Sequence, residues 1–257
     1  MSLKFTILGS GSSLGVPRID GNFGKCDPKN IKNHRTRCSA LLSGKNFNLL
    51  IDSSPDIRQQ FLDNKVKRLD CIFYTHLHAD QTHGINDLRF FYLQNRKQIP
   101  VYANKATSNY LTNSFKYCFK KTGSFYPPIM KLYKLKKKHS FLKKKINIIP
   151  LEVDHGSIKS ICYIINNKLA YASDVSFIKK KHYPKVKNLE YLIIDCLRED
   201  PHPSHYNLDN VLKLVNEIKP KKTILTNLHS SLDYNLLKKK LPKFVYPAFD
   251  GMKLIIN

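Results

Sequence analysis

Short apolar runs bounded by polar and turn-forming residues recur along the chain: "KFTILG", "FNLLID", "CIFYT", "IPVYA", "INIIPLEV", "SICYII", "LAYAS", "YLIID", "TILTN" and "KLIIN". Their lengths and flanking residues predict β-strands. The "NNK" at 166–168 predicts a hairpin turn between two of them. Helical periodicity falls between strands, most clearly in "NLDNVLKLVNEIK", where Leu208, Val211, Leu212, Val215 and Ile218 form one apolar face behind an Asn207 cap. Many strands with interspersed helices predict an α/β sandwich rather than an all-β protein. Neither an internal repeat nor a Gly/Ser-rich or Pro-rich linker divides the chain, so 1–257 reads as a single domain. The one compositional break is "KLYKLKKKHSFLKKK" at 131–145, after the turn-like "GSFYPP". It reads either as a solvated lysine-rich connection or as a basic arm reaching over a substrate.

Composition narrows the partners. The 257 residues allow one large α/β domain with a sizeable core. The formal charge of +25 favours anionic substrates. Of the 44 basic residues 36 are lysine and eight arginine. Base-contacting surfaces draw on arginine and interleaved aromatics, so nucleic acid is open as a partner but not favoured. The apolar runs are too short to span a bilayer, which argues against a membrane partner. The start, "MSLKFTILGSGSSLG", lacks the features of a secretory signal, and a cytoplasmic location is expected. Cys26, Cys38, Cys71, Cys118, Cys162 and Cys196 are scattered without a C-x-x-C pair, the pattern of reduced, buried or half-buried thiols. A homodimer is left open.

Candidate chemistry gathers where the strands end. His76, His78 and Asp80 follow "CIFYT", His155 closes the "INIIPLEV" run, Asp174 follows "LAYAS" and His229 lies just beyond "TILTN". Loops at the carboxyl ends of strands are where open α/β sheets commonly build sites. Neutral imidazoles bind zinc or similar divalent ions, and an i, i+2 pair on extended backbone aims two rings the same way. These six residues are therefore metal-ligand candidates. His34, His139 and His182 sit in basic surroundings and are expected at the solvated surface.

The motifs "HLHAD", "VDHG" and "ASDVS" resemble, in order and spacing, those of the metallo-β-lactamase superfamily. Within it, "ILGSGSSLGVPR", "LLIDSSPDIRQQ", "GINDLR", "SHYNLDNVLKLV" and "LDY" resemble the branch of phosphoribosyl 1,2-cyclic phosphate phosphodiesterases, the PhnP-like proteins. The resemblance implies a four-layer αββα sandwich with two metals in a shallow cleft. His76, His78 and His155 would hold the first ion, Asp174 would bridge both, and Asp80 would face the second. Asp80 and His205, the latter as general acid, are the catalytic candidates.

Two departures concern the second ion. Gln81 stands where the family usually has histidine after H-x-H-x-D, and Asn227 stands where a T-H pair is usual. Histidines lie two positions downstream of each, His83 and His229. Three outcomes are open: one ion only, a second held loosely through Gln81 or Asn227, or a relocated site using His83 and His229. The expectation is an intact first site and an altered second, holding one or two divalent ions, Zn or Mn. Cys26 alone cannot make a structural zinc site, and none is expected.

The implied reaction is hydrolysis of a small cyclic or strained phosphate ester by metal-activated water. Arg89 could clamp phosphate, although a salt bridge to Asp87 or Asp56 competes, and Ser12 or Ser13 of the glycine loop could approach the cleft. Two rivals stand: an RNA endonuclease of the tRNA-processing type, and a degenerate metal-binding protein without catalysis.

Overall fold

The computed structural model describes residues 2–121 and 127–257. One sheet contains β1 (Leu3–Gly9), β2 (Ser39–Gly44), β3 (Phe47–Ile51), β4 (Cys71–Phe73), β5 (Ile99–Ala103) and β6 (Met130–Lys134). The other contains β7 (His139–Phe141), β8 (Ile146–His155), β9 (Ile158–Ile165), β10 (Leu169–Ala172), β11 (Tyr191–Asp195), β12 (Lys222–Thr226) and β13 (Val245–Pro247). The last strand, β14 (Met252–Ile256), returns to the first sheet beside β1, giving the orders β14-β1-β2-β3-β4-β5-β6 and β13-β12-β11-β10-β9-β8-β7. The main helices are α1 (Ile57–Asp63), α2 (Ala79–Thr82), α3 (Arg89–Asn95), α4 (Lys105–Ser114), α5 (Lys116–Phe119), α6 (Tyr183–Val186), α7 (Leu208–Ile218) and α8 (Tyr234–Lys240).

Side-chain alternation sorts the apolar residues into three cores, and three cores require four layers. Phe5, Ile7, Leu42, Leu49 and Phe73 meet Tyr163, Ile165, Tyr171 and Ile193 between the sheets. Their neighbours Leu8, Leu41, Leu50 and Ile72 point the other way, onto Ile57 and Phe61 of α1, Phe91 of α3 and Leu111 of α4. Ile164, Leu192 and Ile194 point outward from the second sheet onto Val211, Leu214, Val215 and Ile218 of α7. Strands β4 and β10 are apolar at every position because both their faces are covered. The result is the expected αββα sandwich.

The "NNK" hairpin joins antiparallel β9 and β10, with Asn166 and Asn167 both at positive φ, as a tight turn needs. Asn207 caps α7 by accepting from the Asn210 N–H at 3.0 Å. Leu214 is buried on α7 while Leu212 packs only at the margin, because the apolar stripe is centred a little further round the helix than the predicted face.

The lysine-rich 131–145 stretch forms neither an arm nor a simple connection. It supplies β6 and β7, the border strands of the two sheets, where lysines blunt unpaired edges. Most of the turn expected at "GSFYPP" falls on 122–126, outside the described residues. His139 is also corrected. It is buried, its ring edge-on to Phe73 at 5.2 Å and to Tyr102 at 4.8 Å, and its Nε2 accepts from the Lys136 N–H at 2.9 Å. A strand position facing an aromatic cluster outweighs its basic neighbours in sequence.

Candidate metal centre

The site begins with a buried carboxylate that orients a histidine. Asp52 follows β3 with a left-handed φ of 60°, which aspartate tolerates better than most residues. Across the parallel β3–β4 pair it accepts from Thr75, at 2.7 Å from the backbone N–H and 2.8 Å from the hydroxyl. The hydroxyl's one proton is thereby committed, so at 3.0 Å it can only accept from His76 Nδ1–H. His76, fully buried, therefore presents an unprotonated Nε2.

A carbonyl fixes His155 at the end of β8. Its Nδ1 donates to the Ser204 carbonyl at 2.6 Å, leaving the Nε2 lone pair free. These two nitrogens converge on His78 Nδ1, which lies 3.0 Å from His76 Nε2 and 3.3 Å from His155 Nε2. Bonds of about 2.0–2.1 Å to a tetrahedral ion place ligand nitrogens roughly 3.3 Å apart. Three imidazoles so arranged fit a divalent cation. Burial pushes His76 down to about 3 and lowers His78 and His155 as well, so all three are neutral, the state that ligates.

Carboxylates complete the site from the second sheet. Strands β10, β11 and β12 run parallel and side by side, and their carboxyl ends deliver Asp174, Asp195 and Asn227. Asp174 joins His155 and His205 in a second group of ligand atoms within 4.8 Å of one another. Burial opposes its charge, but His76, His155 and His205 hold its carboxyl below the ordinary value. Burial beside Asp174 pushes Asp80 up to about 6. Asp195 receives His205 Nδ1–H at 2.6 Å. Burial works against a charge on His205, but Asp195, with Asp174 and Asp80 beyond it, raises it to about 9, making it the imidazolium at neutral pH.

Gln81 and Asn227 also face this cluster, both buried. The Gln81 amide nitrogen donates to Asp80 at 3.1 Å and to Asp174 at 3.2 Å, and that of Asn227 donates to Asp174 at 3.3 Å and Asp195 at 3.1 Å. Asn227 Nδ2 also lies 3.2 Å from His205 Nδ1, but Asp195 already takes that ring hydrogen, so this approach is no hydrogen bond.

Not every candidate converges. His229, expected as a ligand, is occupied elsewhere: Arg18 engages its Nε2 and Ser231 its Nδ1, both at 3.0 Å. His83 is exposed at the end of α2, its ring against Phe115 and Tyr110. Among the described residues neither histidine belongs to a group of ligand atoms that could hold an ion. Arg89 opens α3, exposed, where its charge acts on the Tyr117 hydroxyl. Its supposed rival partner Asp56 is held instead by Arg37, at 2.8 and 2.7 Å. Ser12 is buried, and its N–H donates to the Leu228 carbonyl beside Asn227. Cys26 is buried and free, near Arg35 and the Ser230 and Leu232 carbonyls.

Sequence reasoning missed Asp52, Thr75 and Asp195. A signal for Asp195 exists: "YLIID" ends an apolar run in aspartate as "FNLLID" does. Thr75→Val, which keeps the volume and removes the hydroxyl, is expected to weaken metal affinity by about 10–100-fold, as loss of such an orienting partner usually does. Metal titration measures this, and an unchanged affinity would show that Thr75 does not set the His76 ring.

Residues 47–227 match the family model described as a beta-lactamase superfamily domain. The chain superposes with a TM-score of 0.89 on the structure of a diphosphatase from the PhnP family, at 31% identity over 100% of this chain and 98% of that one. It shares its fold with human short-form tRNase Z, at a TM-score of 0.70 and 16% identity over 98% of each chain. It is 30% identical, over 99% of its length, to an octanoyltransferase from Porphyromonas gingivalis, of which it spans only 52%. Among the described residues no helix is long and apolar enough to cross a membrane. By its matched model, its fold and its cluster of histidines and aspartates, the chain belongs to the metallo-β-lactamase superfamily of hydrolases and, within it, resembles the PhnP family.

Proposed function

We propose that the protein is a metal-dependent phosphodiesterase acting on a small anionic phosphate ester, with cyclic phosphates the favoured class. The observation that carries this reading is the convergence of His76, His78 and His155 nitrogens beside Asp174, with His205 Nδ1 held 2.6 Å from Asp195. His76, His78, His155 and Asp174 would hold a divalent ion, Zn or Mn. Bound there, such an ion activates water and offsets charge developing on phosphate oxygens. His205 supplies the proton: as water adds to phosphorus and the P–O ester bond breaks, the departing oxygen takes a hydrogen from Nε2 while Nδ1–H stays on Asp195, and the proton the water loses passes to solvent, from which Nε2 is recharged. The net charge of +25 favours association with anionic substrates. Six free, buried thiols suit a reducing, cytoplasmic setting.

The test is hydrolysis by the metal-loaded protein of bis(p-nitrophenyl) phosphate, a ribose cyclic phosphate and a tRNA precursor, each across a salt series. Turnover of the small diesters with weak salt dependence is expected. Precursor cleavage that collapses steeply with salt, without small-diester turnover, would assign the site to RNA instead, because counterion release governs nucleic-acid affinity.

A further inference from the structure

The two carboxamides sit where the family places histidines, and their hydrogen bonds decide what they do there. Gln81 Nε2 lies between Asp80 and Asp174, at 3.1 and 3.2 Å, and Asn227 Nδ2 lies between Asp174 and Asp195, at 3.3 and 3.1 Å. Three carboxylates are thus laced together by two neutral NH2 groups. Turning either amide round would aim its carbonyl oxygen at two carboxylate oxygens with no hydrogen between them. The present orientation leaves Gln81 Oε1 buried without a partner among the described residues, a cost accepted to keep two bonds to carboxylates. The ligand atoms agree. Among the described residues the groups able to hold an ion are His76, His78, His155 and His155, Asp174, His205. Both contain His155, Asp80 belongs to neither, and His205 is turned by its Nδ1–H to Asp195 at 2.6 Å. Amide oxygens are also poor zinc ligands beside imidazole.

We infer that this protein holds a single divalent ion, and that the amide hydrogens of Gln81 and Asn227 bridge Asp80, Asp174 and Asp195 in place of a second. The inference rests on the metal-centre reading and deepens it. Gln81 and Asn227 are then positioning residues: they keep Asp174 turned toward the histidines and hold the acidic cluster together without a second cation.

Metal stoichiometry tests it on the full chain, read by elemental analysis after equilibrium dialysis against Zn(II) and, separately, Mn(II). The wild type is expected to retain one equivalent, and the Mn(II) form to give an uncoupled electron paramagnetic resonance signal. Two equivalents with a spin-coupled Mn(II) signal would overturn the inference while leaving the metal centre standing. No retained ion would overturn both. The double variant Gln81→His, Asn227→His is expected to rise to two equivalents. A folded double variant that stays at one would show that the carboxamides do not exclude the second ion. Should that variant fail to fold, the wild-type stoichiometry and spectrum decide alone.

Discussion

His155→Ala is expected to empty the centre and to lower phosphodiester hydrolysis on the order of a thousandfold. The ion supplies several kcal/mol of transition-state stabilisation, and each 1.36 kcal/mol is a factor of ten in rate. His155 is the position of greatest leverage because it belongs to both ligand groups. Its ring also packs against three other histidines, at 4.9 Å from His76, 5.1 Å from His78 and 4.7 Å from His205. Truncation therefore removes a ligand and loosens its neighbours together. Thermal melts with metal withheld separate the two effects: loss of ligation alone leaves the apo protein folding near wild-type stability. Full metal content in the variant would remove His155 from the centre.

His205→Ala is expected to behave differently, lowering kcat by about 10²–10⁴-fold, the usual range for a lost general acid, with bound metal unchanged. A companion variant makes the role specific. In the wild type His205 is the acid while protonated, so activity should persist below its pKa and fall as pH rises through it. The Asp195 carboxylate at 2.6 Å favours the imidazolium. Asp195→Asn removes that charge, and the alkaline limb of the pH–rate profile should move to lower pH by roughly 1–3 units. A limb that stays in place would mean that another group provides the proton.

Much of this centre is legible in the sequence, for an identifiable reason. His76, His78, His155 and Asp174 pair a ligand-type side chain with the end of an apolar run, and both halves of that signal are local. What stays hidden depends on neighbours far away in the chain. Asp52 and Thr75 are 23 residues apart and look ordinary separately; only the β3–β4 pairing makes them the support of His76. His229 misleads because proximity to a strand end does not say which way a loop turns its side chain, and Arg18, 211 residues earlier, claims the ring. The departures at Gln81 and Asn227 are visible as residue types, but whether they offer oxygen or nitrogen to the cluster depends on three carboxylates converging from separate loops.

The side-by-side tips of β10, β11 and β12 work like the teeth of a comb, their pitch set by backbone hydrogen bonds and indifferent to which residue caps each tooth. Exchanging an aspartate, asparagine or histidine at a tip rewrites the local chemistry without bending the comb. Architecture can consequently outlive sequence, as the shared fold at 16% identity with human short-form tRNase Z illustrates. Reprogramming this scaffold for another reaction should begin at those three tips, not in the layers beneath them.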